Sequence, residues 1–205
     1  MHGPVSPLLE KHRLEALSDG IYAIAMTLLV LELKVPDVPR GAGEQALMHA
    51  LAELLPKILI WVVSFWVMSM FWMAQYRLYR LTSAFDWVMV RLELLQLALI
   101  SLLPFSTALM GEYGGHVTSA AIYSGHLFAL GILTLCRTLY FLRHSELHTR
   151  ELTPEVARVQ RLRNWGQAAC TGTTFALAFA FPGWNALAMI PMAFLPTLKK
   201  KLTHE

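Results

Sequence analysis

Arg13-Leu14-Glu15-Ala16-Leu17-Ser18-Asp19-Gly20-Ile21-Tyr22-Ala23-Ile24-Ala25-Met26-Thr27-Leu28-Leu29-Val30-Leu31-Glu32-Leu33 is long enough to cross a bilayer, yet its two ends differ. Past Gly20 the run is apolar up to Glu32; before it stand Arg13, Glu15, Ser18 and Asp19. A spanning helix needs about 20 mostly apolar residues, and a charge at mid-bilayer costs about 2.5–3.5 kcal/mol or more. A helix built this way is expected to line a pore or pack inside a bundle, its polar groups paired to other helices. The alternative leaves Glu15 and Asp19 at the cytoplasmic interface, where charge costs little.

At about 100° per residue, Arg13, Leu17, Gly20, Ile24, Thr27, Leu28 and Leu31 share one face of this helix, and Asp19 lies about 140° from Ile24. One face then presents a narrow apolar constriction while Ser18 and Asp19 bond to neighbouring helices and hold the inner end. Periodicity alone is equally compatible with ordinary helix packing.

The rest of the chain repeats the apolar theme. Of its 205 residues 56% are hydrophobic and 15% charged, against about 25% charged in an average soluble domain. Pro36 and Pro39 close the first span, and Pro4 and Pro7 precede it. Glu44 to Leu55 alternates with helical period and reads as a short amphipathic piece on the outer surface, ended by Pro56. Further spans are expected at Ile58 to Tyr76, Trp87 to Met110, Ser119 to Leu142 and Trp165 to Phe181, with a charged segment from Arg143 to Arg163. A Pro182-Gly183-Trp184-Asn185 turn leads to a sixth, Ala186 to Leu198, which is short and holds Pro191 and Pro196. Trp61, Tyr76, Tyr79 and Trp87 fall where interfacial aromatic belts lie. The expected fold is all-α, one polytopic membrane domain over residues 1–205 with six transmembrane helices.

Of the 17 lysines and arginines, all but Lys34, Arg40 and Lys57 fall inside or near inner helix ends if the N-terminus is cytoplasmic. The bias requires an even number of spans and places both ends on the cytoplasmic side. The basic residues form no stripe with aromatics, so the net charge of +3 is read as topology and not as nucleic-acid affinity. The first apolar stretch, interrupted by Glu15, Ser18 and Asp19 and lacking a small-residue cleavage site, is expected to stay as a helix and not to be cut as a signal peptide. Cys136 and Cys170 lie in apolar runs, as buried small hydrophobes do; neither a disulfide framework nor a metal site is expected from them. No internal repeat is evident.

The quoted stretch resembles the first-helix signature of the endolysosomal potassium channel family, transmembrane protein 175. That signature is an Arg, three residues and Phe-Ser-Asp, followed by an apolar helix containing Thr. Here Leu17 stands for the phenylalanine, and the Ala-Ile pair, Thr27 and the Leu-Glu-Leu exit agree with it. The remaining helices resemble the family only in number and layout. The resemblance implies a prokaryotic six-helix member in a cell membrane, four chains forming a homotetramer around a pore lined by helix 1. It implies potassium permeation through a bottleneck of Ile24, Thr27 or Leu28, and Leu31, and a network of Arg13, Ser18 and Asp19 that does not touch the ion. The chain has no Thr-Val-Gly-Tyr-Gly loop, so a backbone-carbonyl filter of the usual kind is not available. An apolar bottleneck forces partial dehydration, which costs potassium less than sodium, and the selectivity should be modest. Potassium is the permeant ion in this reading, and no cofactor is implied.

Other residues carry weaker signals. His144, Glu146 and His148 alternate, so they do not share a helix face and read as a solvated linker. Arg91 and Glu93 fall about a turn inside their helix, where pairing with Asp19 or with each other is expected. His116 and His126 read as loop and packing residues with a possible pH-sensing role, and Gly111, Gly114 and Gly115 as an outer turn. A second reading is a small secondary transporter with Asp19 and Glu93 as carriers, though the repeated halves and broken helices of such proteins are not evident. A third, an intramembrane enzyme, lacks any nucleophile and base pair at helical spacing.

Overall fold

The computed structural model describes residues 11–197, without the side chains of Leu187 and residues 193–197. Pro4, Pro7, Leu198, Lys199, Lys200 and Lys201 lie outside the described residues. Six α-helices follow one another: α1 Lys11–Leu28, α2 Glu44–Glu53, α3 Leu55–Leu81, α4 Trp87–Tyr113, α5 Val117–Arg143 and α6 Pro154–Leu177. A 3-10 turn, Leu29–Glu32, prolongs α1, another spans Ser145–Leu147, and a 3-10 segment, Asn185–Thr197, ends the described chain. Four stretches, Lys11–Glu32, α3, α4 and α5, are long and apolar enough to cross a membrane.

Several boundaries differ from expectation, each for a local reason. Pro56 does not end the amphipathic piece; it lies in the first turn of α3, where its missing N–H is not needed and its fixed φ suits a helix start. Half of the charged segment expected from Arg143 to Arg163 is helical. The Thr153 side chain accepts a hydrogen bond from the Val156 N–H at 3.3 Å and Pro154 follows it, so α6 begins eleven residues before Trp165. Its early charges Glu155, Arg158 and Arg161 are exposed while Gln160, Asn164, Gln167, Thr171 and Thr174 are buried. That polar stripe packs against α5, with the Asn164 amide donating to the Thr138 hydroxyl at 2.5 Å. Polar side chains bonded across helices are the usual adhesive of membrane bundles, and they are why α6 falls short of a span by composition. The sixth expected helix is not α-helical but winds in 3-10 turns.

The Pro182 to Asn185 turn forms as expected, with Gly183 at φ +88°. The close approach of α5 and α6 depends on Gly131: a Cβ there would lie 2.4 Å from Thr171 Oγ1 and 3.3 Å from Ala168 Cα.

Two apolar clusters hold the bundle. One contains Leu14, Leu78, Tyr79, Met89, Val90 and Phe141. The other contains Tyr22, Leu29, Phe71, Leu97, Ile100, Tyr123 and Leu130. On each of α1, α3, α4 and α5 buried polar residues lie between these clusters: Ser18, Gln75, Glu93 with Gln96, and Thr134 with Arg137. The core is thus apolar, polar and apolar along the helix axes.

Candidate functional site

The first helix shows two unlike faces. Leu14, Ser18, Tyr22, Ala25 and Leu29 recur at steps of three and four and are buried against the bundle. Opposite them, Leu17, Gly20, Ile24, Thr27, Leu28 and Leu31 are exposed in the isolated subunit, Ile24 by 61% and Leu31 by 67%. No helix of the described subunit covers this second face. Thr27 turns its hydroxyl to the Ile24 carbonyl at 2.8 Å, so its hydrogen is satisfied within α1. Because Leu29–Glu32 is 3-10 and not α-helical, residues three apart stand above one another. Leu31 therefore follows Leu28 along the axis and Thr27 is displaced to the side.

The N-terminal half of α1 is tied to α3 through the Tyr79 hydroxyl, which donates to the Leu14 carbonyl at 3.4 Å, and through Asp19. Trp72 of α3 donates its indole N–H to Asp19 Oδ1 at 2.9 Å, and Trp72 in turn stacks on Tyr76. Ser18 is buried with its hydroxyl unpartnered, and Arg13 is exposed. Of the three polar residues assigned to a network, only Asp19 is joined to a neighbouring helix by a hydrogen bond among the described residues. Lys11 adds an anchor, donating to the Thr82 carbonyl at 2.9 Å.

Glu93 does not pair with Asp19 or Arg91. Its carboxylate meets the guanidinium of Arg137 on α5 and accepts from the Gln75 amide of α3. Arg137 and Glu93 are 0% and 1% exposed, while Arg91 points outward. The layer continues through Gln96, whose amide donates to the Tyr22 hydroxyl of α1 at 3.2 Å. Arg137, expected among the charges at inner helix ends, instead lies two turns inside α5 as the counter-ion of Glu93. The signal that marks it is the register of Gln75, Glu93, Gln96 and Arg137 within otherwise apolar runs.

The remaining candidates have ordinary partners. His126 bridges Ser106 Oγ at 2.8 Å and the Leu99 carbonyl at 2.9 Å. His144 and His148 bond the carbonyls of Tyr140 and Phe141, each at 2.8 Å. Among the described residues no group of three side chains is placed to hold a metal ion.

Comparison with known proteins agrees with the α1 signature. The family described as Endosomal/lysosomal potassium channel TMEM175 matches residues 13–104. A potassium channel of Streptomyces collinus is 33% identical over 159 residues, covering 75% of each chain. One of Chamaesiphon minutus is 36% identical over 127 residues, 60% of this chain and 62% of that one. The crystal structure of a lysosomal potassium-selective channel TMEM175 homolog from Chamaesiphon minutus superposes with a TM-score of 0.76 at 27% identity, over 92% of this chain and 97% of that one. The longer endosomal/lysosomal proton channel TMEM175 of Gallus gallus is 37% identical over 115 residues, 53% of this chain and 23% of that one. By the shared signature, the extent of these matches and the common fold, the chain is an integral membrane protein, not an enzyme, and belongs to the TMEM175 ion channel family.

Proposed function

We propose that this chain is one subunit of a potassium-permeable channel, in which identical copies, four around one axis, present the exposed face of α1 to a central pore. Residues 1–205 act as a single channel domain with six crossings and both ends in the cytoplasm of a prokaryotic cell. The observation that carries the reading is the apolar stripe of Ile24, Leu28 and Leu31, left bare on a helix whose other side is packed. A charged inner end next to such a stripe is poorly suited to lipid and well suited to a water-filled axis. Thr27 lies beside the stripe, and Asp19, through the Trp72 indole, fixes its inner end against α3.

Two more crossings are supported by length. Twenty-four residues of α6 extend about 36 Å. Thirteen residues at the 3-10 rise of about 2.0 Å extend about 26 Å, nearly the bilayer core. Names of the relatives supply the ion: those of Streptomyces collinus and Chamaesiphon minutus are called potassium channels. Constriction by isoleucine and leucine side chains strips part of an ion's hydration, and potassium, which holds water less tightly than sodium, passes more readily.

The test is flux through purified protein in liposomes. Ile24→Asn and Leu31→Asn should raise potassium flux several-fold and erode the preference over sodium. Unchanged flux and selectivity in both would remove α1 from the pore. Resolvable unitary currents are also expected; a transporter with Asp19 and Glu93 as carriers turns over too slowly to produce them.

A further inference from the structure

A cavity of about 300 Å³ lies where the C-terminal end of α3 faces the first turns of α6. Its wall contains Arg77 and Arg80 from α3 and Gln160 and Arg163 from α6. Gln160 is 3% exposed and its amide Nε2 has no hydrogen-bond partner; the same holds for the buried Nε of Arg77. Orphaned buried donors cost free energy, and here both line one hollow beside further guanidinium groups. Two carboxylates, Glu151 and Glu155, also line it. Glu151 is engaged at the exposed rim with Arg80, at 3.6 Å. With Arg80 engaged, Arg77 brings one positive charge beside the orphaned Gln160 amide, which matches one phosphodiester and not a polyphosphate.

The apolar part of the wall says what carries that anion. Tyr76, Leu81, Val156 and Val159 line the cavity with the arginines, and a free phosphate has no use for them. The glycerol backbone and first methylenes of a lipid do. The site also lies at the end of a helix long and apolar enough to span the membrane, at headgroup depth, where basic pockets between helices take phospholipid headgroups. We infer that this α3–α6 cavity is a binding site for a monoanionic glycerophospholipid, its phosphodiester held by Arg77 and the Gln160 amide. Tyr76 stacks on Trp72, which bonds Asp19, so the lipid site and the inner end of α1 share a wall.

The experiment needs no ion conduction. Purified protein in a neutral detergent is titrated with phosphatidylglycerol and followed by native mass spectrometry and thermal unfolding, with glycerol 3-phosphate and inorganic phosphate as soluble anions. One saturable phosphatidylglycerol molecule per chain and a raised Tm are expected. Arg77→Gln should weaken binding about tenfold, the loss of a charge-assisted hydrogen bond, and Gln160→Leu several-fold. Arg91→Gln, on the exposed side of α4, should bind as the unmodified protein does. Should Arg77→Gln fail to give a monodisperse protein, Gln160→Leu decides alone. Equal binding by the cavity variants and the unmodified chain would overturn the site. Saturation by either soluble anion at the lipid's own concentration would overturn the lipid assignment.

Discussion

Glu93 and Arg137 are each almost wholly shut away from the surface, and neither is tolerable there alone. Removing one partner of a buried pair leaves an uncompensated charge and typically costs about 3–5 kcal/mol, whereas replacing both with apolar residues of similar size is often nearly neutral. Arg137→Met alone should therefore lower the thermal midpoint of the detergent-solubilised protein sharply, and Glu93→Leu with Arg137→Met should recover most of it. Two singly tolerated changes would show that the pair is hydrated and not sealed. Asp19 is a milder case. Asp19→Asn keeps a carbonyl oxygen for the Trp72 indole and should leave α1 in place, while Asp19→Leu removes the acceptor. Proteolysis at the N-terminal end of α1 reads the difference. The polar end of α1 was legible in the sequence because charge in an apolar run is conspicuous. Arg137 was not, since an arginine two turns from a helix end looks like a charge reaching for the interface, and only the facing carboxylate on α4 shows otherwise.

Along the elements, helix existence followed from apolar runs, and the errors fell at starts and stops. Pro56, expected to end an element, begins a helix, as Pro154 does, because proline stops only the turn that precedes it. The buried polar stripe of α6 hid the same way: composition registers glutamine, asparagine and threonine as hydrophilic whichever way they face. Its packing gives a sharp expectation. Gly131→Ala drives a methyl group into Thr171 and should cost about 1–3 kcal/mol, measurable as a lowered Tm, with Thr171→Ala on top of it restoring part of the loss. The 3-10 ending of α1 makes a further distinction that a uniform helix does not. Leu28, in line with Leu31, should respond to asparagine as Ile24 does, while Thr27→Ala should change flux little. A larger effect at Thr27 than at Leu28 would mean that α1 is rotated in the working channel.

For the whole molecule, a polar layer between two apolar clusters ties α1, α3, α4 and α5 together by directional bonds, whereas the stripe on α1 engages nothing in its own subunit. Under the proposed function, one side of α1 serves rigidity and the other assembly. Cysteines placed at Ile24 should consequently form disulfides between subunits in membranes, and an oligomer ladder that stops at the tetramer is the expected gel pattern. Failure to cross-link at Ile24 while Leu94, exposed on α4, does so would put the wrong surface at the centre.

The ion pair shared by α4 and α5 also bears on how the polypeptide enters the membrane during synthesis. Neither helix can partition cheaply as a solitary segment, since each would carry a bare charge into hydrocarbon, a cost that reaches about 2.5–3.5 kcal/mol at the bilayer centre. Only three residues, Gly114 to His116, separate them. The two should leave the translocon as one hairpin, Glu93 waiting at the channel wall until Arg137 emerges from the ribosome to neutralise it.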